Sequence, residues 1–228
     1  MKNLSRRLMA IGIAAMMGIG AASPAMAEDG KIEIAVTGGS EDAMQLNSAT
    51  SGYLNGLSAL RHLYEGLYKL DANGDVVLGQ ASDVQISDDQ LTWTFTLRDD
   101  ITWSDGQAVT ANDFIFGFDN LAAQGGDYST LLTDLGAAWE APDEKTVVIT
   151  LPNPVGFLPA ILAFPSTYPA RADYVEKFGD AYGTDPDKSV YNGPDRKEIH
   201  AHSLPPKKQA KTTNSVIFAR PCVTCLPN

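Results

Sequence analysis

The body of this 228-residue sequence contains no cysteine: Cys222 and Cys225 both stand near its end. Disulfide frameworks and thiolate metal sites are therefore excluded from residues 28–194. Histidine is nearly absent as well. His62 is alone in that stretch, on a polar edge of a helical pattern, where it reads as a surface residue. Basic charge is also scarce. Residues 28–194 hold 26 of the 28 Asp+Glu and only eight of the 17 Lys+Arg, a net charge of −18. Such a stretch has no cationic face for nucleic acid, and an anionic membrane surface repels it. Long apolar runs are missing too: Leu8 to about Ala22 falls short of the roughly 20 residues that a membrane helix needs. No nucleophile elbow, phosphate-binding glycine loop or zinc-protease helix is present, and no two carboxylates are marked as an acid/base pair. The expectation is a protein without catalytic residues, metal or cofactor.

The two ends differ from the body. Lys2, Arg6 and Arg7 precede the apolar run, and Ala25-Met26-Ala27 closes it with small residues. This is the pattern of a secretory signal peptide cleaved after Ala27, which predicts a periplasmic body. No lipobox cysteine follows. Residues 195–228 carry Arg196, Lys197, Lys207, Lys208, Lys211 and Arg220 against Asp195 and Glu198, a net charge of +4. With Pro205-Pro206 and no apolar periodicity across it, this segment is expected to be a disordered basic tail. His200-x-His202 and Cys222-x-x-Cys225 would supply zinc ligands in principle, but a lone C-x-x-C in a proline-punctuated segment is a weak signal.

Between these ends, Leu91, Trp93, Phe95 and Leu97 alternate with Thr92, Thr94 and Thr96, a half-buried strand. Ile101-Thr102-Trp103 starts a short second strand, and Ser104-Asp105-Gly106 turns the chain. Thr110 stands three residues before Asp113, a capping box with Asp in the Glu/Gln place. Phe114, Phe118 and Leu121 follow on one helical face, which Gly125-Gly126 ends. Upstream lie a strand at Ile32–Val36, a helical pattern from Leu57 to Leu67, and hairpins about Asp71–Gly74 and Asp88-Asp89. Asp71-x-Asn73-x-Asp75 lacks the Gly and Glu that a calcium loop requires, since Val76 and Ser82 stand in their places, so it reads as a turn. Downstream come a hairpin about Pro142–Lys145, an apolar helix within Phe157–Phe164, and a short helix Tyr174–Phe178 stopped by Gly179. The sum is mixed α and β with many hairpins.

Trp103 to Phe114, read as W-S-D-G-x-x-V-T-A-x-D-F, resembles the signature of the family 5 extracellular solute-binding proteins. These are oligopeptide- and dipeptide-binding proteins of ABC importers. Trp93 to Arg98 (W-T-F-x-L-R) and Tyr64-Glu65-Gly66-Leu67 match in order and spacing, and the similarity runs from about Lys31 to Pro194. The resemblance implies a periplasmic-binding-protein-like fold of the class II type, in which two lobes close on an extended peptide and a smaller domain interrupts the first lobe. On that pattern residues 28–65 start lobe I, 66–185 form the inserted small α+β domain, and 186–194 re-enter the lobe. Residues 195–228 are unrelated. In the family a motif like Tyr191-Asn192-Gly193-Pro194 is followed by an aromatic and a strand and the chain continues, whereas here Asp195-Arg196-Lys197 follows. The expectation is a chain truncated after about Pro194 by a change of reading frame, with the second lobe missing.

The resemblance also implies that the ligand is an oligopeptide held mainly through backbone hydrogen bonds. The partners it implies are the membrane permease subunits of an ABC importer, and the protein itself would be a monomer. Position by position, the ligand-facing loop falls at Thr50, Ser51, Gly52 and Tyr53, with Tyr128 from the small domain as a further candidate. Because Gly52 holds the place of an acidic residue, its contact would come from backbone. Trp103, Asp105 and Gly106 belong to the scaffold. Without a second lobe, weak binding or none is expected of this chain. Other readings stay open: an exported enzyme, though no motif marks one, an exported interaction module without a transport role, and a solute binder for dipeptides, a nickel chelate or an oligosaccharide.

Overall fold

A computed structural model of the chain describes residues 31–37, 46–51, 54–125, 128–184, 188–193, 199–202 and 213–219. The expected signal peptide with its cleavage site after Ala27 lies outside them, as do Gly52 and Tyr53. In chain order the elements are β1 (Lys31–Thr37), α1 (Leu54–Leu63), β2 (Tyr68–Leu70), β3 (Val76–Leu78), β4 (Ala81–Ile86) and β5 (Thr92–Leu97). They continue with α2 (Ala111–Gln124), β6 (Ala138–Asp143), β7 (Thr146–Thr150), α3 (Leu158–Leu162), α4 (Ala172–Phe178), β8 (Ile199–His202) and β9 (Thr213–Ala219).

The centre is a four-stranded antiparallel sheet in the order β4-β5-β7-β6. Its register sets Trp93 opposite Ile149 and Phe95 opposite Val147. Trp93, Phe95, Leu97, Val147 and Ile149 are buried, whereas Thr96 is exposed, so the period of two has the structural consequence it predicts. Helix α2 carries Phe114, Phe118 and Leu121 into the same core, where Phe118 meets the edge of Trp139 with ring centroids 5.8 Å apart. Its start is fixed as expected. The Thr110 N–H donates to Asp113 Oδ2 at 2.9 Å, the reciprocal bond of a capping box, and Gly125 ends the helix in the left-handed region at φ 65°. The turn at Asp71 is a plain side-chain-closed turn, with the N–H groups of Asn73 and Asp75 donating to Asp71 Oδ1.

Two elements differ from the sequence reading. Ile101–Trp103 does not become a strand; only Thr102 bridges Ala108. The Trp103 N–H donates to the Gln107 carbonyl at 2.7 Å about a tight loop with Gly106 at φ 90°, which leaves no length for a ladder. In the basic segment after Pro194, expected to lack regular structure, β9 pairs antiparallel with β1 over all seven residues, and β8 pairs with β9. The run Val216-Ile217-Phe218 has the β-branched and aromatic character that favours strand pairing.

Candidate functional site

Beyond α1 the chain runs through Tyr64, Glu65 and Gly66 into β2, and here distant segments converge. The Asn192 side chain clamps the backbone of Glu65: Oδ1 accepts the Glu65 N–H at 3.1 Å and Nδ2 donates to the Glu65 carbonyl at 2.9 Å. Gln80 Nε2 donates to the Asn192 carbonyl at 3.0 Å, and the Gly193 N–H donates to the Leu63 carbonyl at 2.8 Å. Glu65 itself is buried, yet its carboxylate is well supplied. Lys69 Nζ donates to Oε1, Gln80 Nε2 reaches Oε2 at 3.4 Å, and the Arg98 guanidinium lies 3.8 Å from Oε2. A buried carboxylate persists only with such partners. Glycine is required at two points here. A Cβ on Gly66 would stand 2.7 Å from the Leu162 carbonyl oxygen, and one on Gly193 would stand 2.6 Å from Leu63 backbone.

Above this junction stands an aromatic group. The Tyr64 hydroxyl is 3.3 Å from that of Tyr182, and the Tyr64 ring meets Trp103 and Tyr191 edge-on at 6.4 and 5.4 Å. Burial, followed by the charges that Tyr182 and Tyr191 would carry, pushes the Tyr64 phenol well above its ordinary value. The Trp-Ser-Asp-Gly motif is scaffold, as its sequence suggests. Trp103 Nε1 donates to Asp113 Oδ2 at 3.1 Å, and Asp105 Oδ2 accepts from Arg171 at 3.0 Å. Arg171 is 6% exposed, grips Asp173 through two nitrogens, and lies 5.9 Å from the Trp103 ring centroid. Burial raises the Asp113 carboxyl above its usual range, against the pull of its hydrogen bonds, whereas the bonds from Arg171 hold the Asp173 carboxyl below it.

Of the residues expected to face ligand, Thr50 and Ser51 share one turn, and Tyr128 packs against Phe164. Thr50 is exposed and Ser51 buried, and both N–H groups donate to the Asn47 carbonyl, at 3.2 and 3.0 Å. Ser51 Oγ has no hydrogen-bond partner among the described residues. The turn is held to the segment after α4 by the Leu46 N–H, which donates to the Gly183 carbonyl at 2.7 Å. Thr50 lines a cavity of about 210 Å3 with Asn47, Gln124 at the end of α2, Val175, Gly179 and Asp180. Tyr128 does not line it; its half-buried ring packs edge-on against Phe164 at 4.7 Å. Gly52 and Tyr53 lie outside the described residues. In the sequence Glu65 and Asn192 stand only as letters of motifs, and nothing marks Gln80 or Arg171. A lone Asn or Gln carries no periodic signal, and their roles depend on partners up to 127 residues away. Among the described residues there is no cluster of three His, Cys, Asp or Glu side chains able to hold a metal, and no helix long and apolar enough to cross a membrane.

The unit is mixed α/β, with Leu63 and Glu65 held by the returning Asn192 and Gly193, and solved periplasmic-binding-protein-like structures superpose on it. One is that of Listeria monocytogenes OppA bound to peptide, with a TM-score of 0.65 at 26% identity, covering 71% of this chain and 34% of that one. Another is Haemophilus influenzae OppA in complex with the peptide RPPGFSPFR, with a TM-score of 0.65 at 28% identity and the same coverage. The chain belongs to the bacterial extracellular solute-binding proteins, family 5, whose middle-region model matches residues 75–194. Among curated relatives, the dipeptide-binding protein of Lactococcus lactis is 34% identical over 148 residues, which are 57% of this chain and 26% of that protein. The periplasmic oligopeptide-binding protein OppA of Escherichia coli is 35% identical over 153 residues, 58% of this chain and 27% of that protein. The chain thus spans about a quarter of the curated relatives and about a third of the solved chains. These relatives are binding proteins by name, not enzymes, and they belong to a family of periplasmic or extracellular proteins.

Proposed function

We propose that this chain belongs to the substrate-binding component of an ABC peptide importer and contributes to capturing extended oligopeptides mainly through backbone hydrogen bonds. The observation that carries the reading is the match of 71% of this chain to chains solved with peptide bound. Thr50, Ser51, Gly52, Tyr53 and Tyr128 would face the ligand. The buried, unpartnered Ser51 Oγ supports a role for this turn, because a buried hydroxyl without a partner gains by meeting one. Export would proceed through the signal peptide with cleavage after Ala27. The protein would be a monomer that delivers ligand to permease subunits, with no catalytic step. On their own, the residues present enclose little ligand surface, so binding by the isolated chain is weak or absent.

A second ligand class is supported by the probable deoxycholate-binding periplasmic protein YgiS of Escherichia coli, 32% identical over 151 residues. Residues 31–194 grafted in place of the matching segment of the Escherichia coli oligopeptide-binding protein test the choice by calorimetry. Micromolar saturation with tripeptides supports the peptide reading. A folded chimera that ignores peptide but takes deoxycholate would replace it.

A further inference from the structure

A cavity of about 240 Å3 opens beside the junction, away from the Thr50 turn, between the end of α1, strand β2 and the end of α3. Arg61, Glu65, Lys69, Leu70, Ala163 and Tyr168 line it. We propose that it is a binding subsite for a small apolar group ending in a carboxylate, with Arg61 as the residue that holds the carboxylate.

Charge supports this first. Residues 28–194 carry only eight cations among 26 carboxylates, yet Arg61 and Lys69 line one cavity and Arg98 lies 3.8 Å from the Glu65 carboxylate. Glu65 does not cancel them all. Its two oxygens are taken up by Lys69, Gln80 and Arg98, whereas the Arg61 guanidinium has no ion pair or hydrogen bond among the described residues. Position in the last turn of α1 gives Arg61 a favourable field from the helix end. That accounts for a cation here and not for the open space it faces. Arg61 also acts across the cavity: its charge opposes the burial that pushes the Tyr168 hydroxyl up to about 12.

The walls supply the apolar part. The buried Tyr168 ring and Ala163 form one side, with the Tyr168 hydroxyl donating to the Ala163 carbonyl at 3.3 Å, so that hydroxyl is already used. Leu70, 41% exposed, forms the rim, directly opposite Val76, which is 38% exposed, in the β2–β3 register. Paired strand residues share a face, so the rim continues as an apolar surface. The volume is below the roughly 300 Å3 at which whole-ligand pockets begin, which limits the occupant to one end of a molecule. A guanidinium fork binds carboxylate by two parallel hydrogen bonds, whereas an exposed ammonium such as Lys69 acts as a point charge.

A chemical-shift titration of the full chain with hexanoate tests the proposal, with hexanamide and inorganic phosphate as controls. N-acetyl-alanyl-leucine, free or amidated at its C-terminus, distinguishes a peptide end from a fatty acid as the source of the carboxylate. The expected result is saturable shifts at Leu70, Ala163 and Tyr168 with hexanoate and not with hexanamide. Arg61→Gln should weaken binding about tenfold or more, with Arg61→Lys retaining part of it. Arg61 is exposed, so both variants should melt with the parent. Equal affinity in Arg61→Gln, equal response to phosphate, or no saturation with any carboxylate would overturn the proposal.

Discussion

Asn192 joins parts of the chain that sequence separates by more than a hundred residues. Its amide satisfies both the N–H and the carbonyl of Glu65, and its own carbonyl accepts from Gln80. Truncation to alanine leaves buried backbone groups unpaired, at about 1–3 kcal/mol for each group not rescued by water. Asn192→Ala is therefore expected to lower stability by roughly 2–3 kcal/mol, read as a lower urea midpoint with unchanged slope. A change below about 0.5 kcal/mol would mean that the clamp is not coupled to folding. Asp173 gives a pH signature. Its carboxyl binds protons less readily folded than unfolded, because Arg171 donates to it. Its contribution is therefore complete above the unfolded value near 4 and is lost as the pH falls through its lower folded value. Asp71, Asp89 and Asp143 share this direction, each held down chiefly by local hydrogen bonds. Half-buried Asp113 has the opposite sign: its cost is present at high pH and relieved on acidification. Asp173→Asn should flatten the fall in melting temperature below about pH 4, and an unchanged acid limb would remove Asp173 from the account.

At the scale of elements, α2 shows where packing overrides propensity. Gly117 lies in its interior, where alanine ordinarily gains about 0.5–1 kcal/mol. Here a Cβ would stand 2.6 Å from the Tyr168 carbonyl oxygen, 3.2 Å from Pro169 Cα and 3.3 Å from the Ala170 nitrogen. All three are backbone atoms that cannot swing away, and overpacking costs about 1–3 kcal/mol, so the loss is the larger quantity. Gly117→Ala is expected to destabilise by roughly 1–2 kcal/mol in thermal unfolding; a stabilised variant would show that the 168–170 segment yields easily. The sequence made this helix legible, because the spacing of Phe114, Phe118 and Leu121, the Thr110–Asp113 cap and Gly125 are all local signals. The alternation of Trp93, Phe95 and Leu97 was legible for the same reason. It did not reveal that β5 lies between β4 and β7, since a period of two names the buried face and not the neighbours. The single bridge at Thr102 was hidden because a β-favouring triplet says nothing of the loop that closes on it. The site was legible only as far as resemblance carried it: Thr50 and Ser51 share a turn, Tyr128 packs elsewhere, and the Glu65–Gln80–Asn192 contacts are purely tertiary.

At the scale of the whole molecule, one core cluster runs from Leu57, Leu60 and Leu63 on α1 through Trp103, Phe95 and Phe114 to Val190 and Tyr191. Helix α1, the central sheet with α2, and residues 190–191 therefore share buried surface. Cooperative unfolding is the natural consequence. In the turn at residues 46–51, by contrast, Thr50 alone is exposed, beside a cavity of about 210 Å3. On the function proposed above, these residues are a folded share of a peptide-binding protein and enclose too little ligand surface to hold peptide by themselves. Isothermal titration of the full chain with tripeptides, on protein shown to melt cooperatively, tests it most directly. No saturable heat is expected at micromolar peptide; saturable micromolar binding by this chain would overturn that reading.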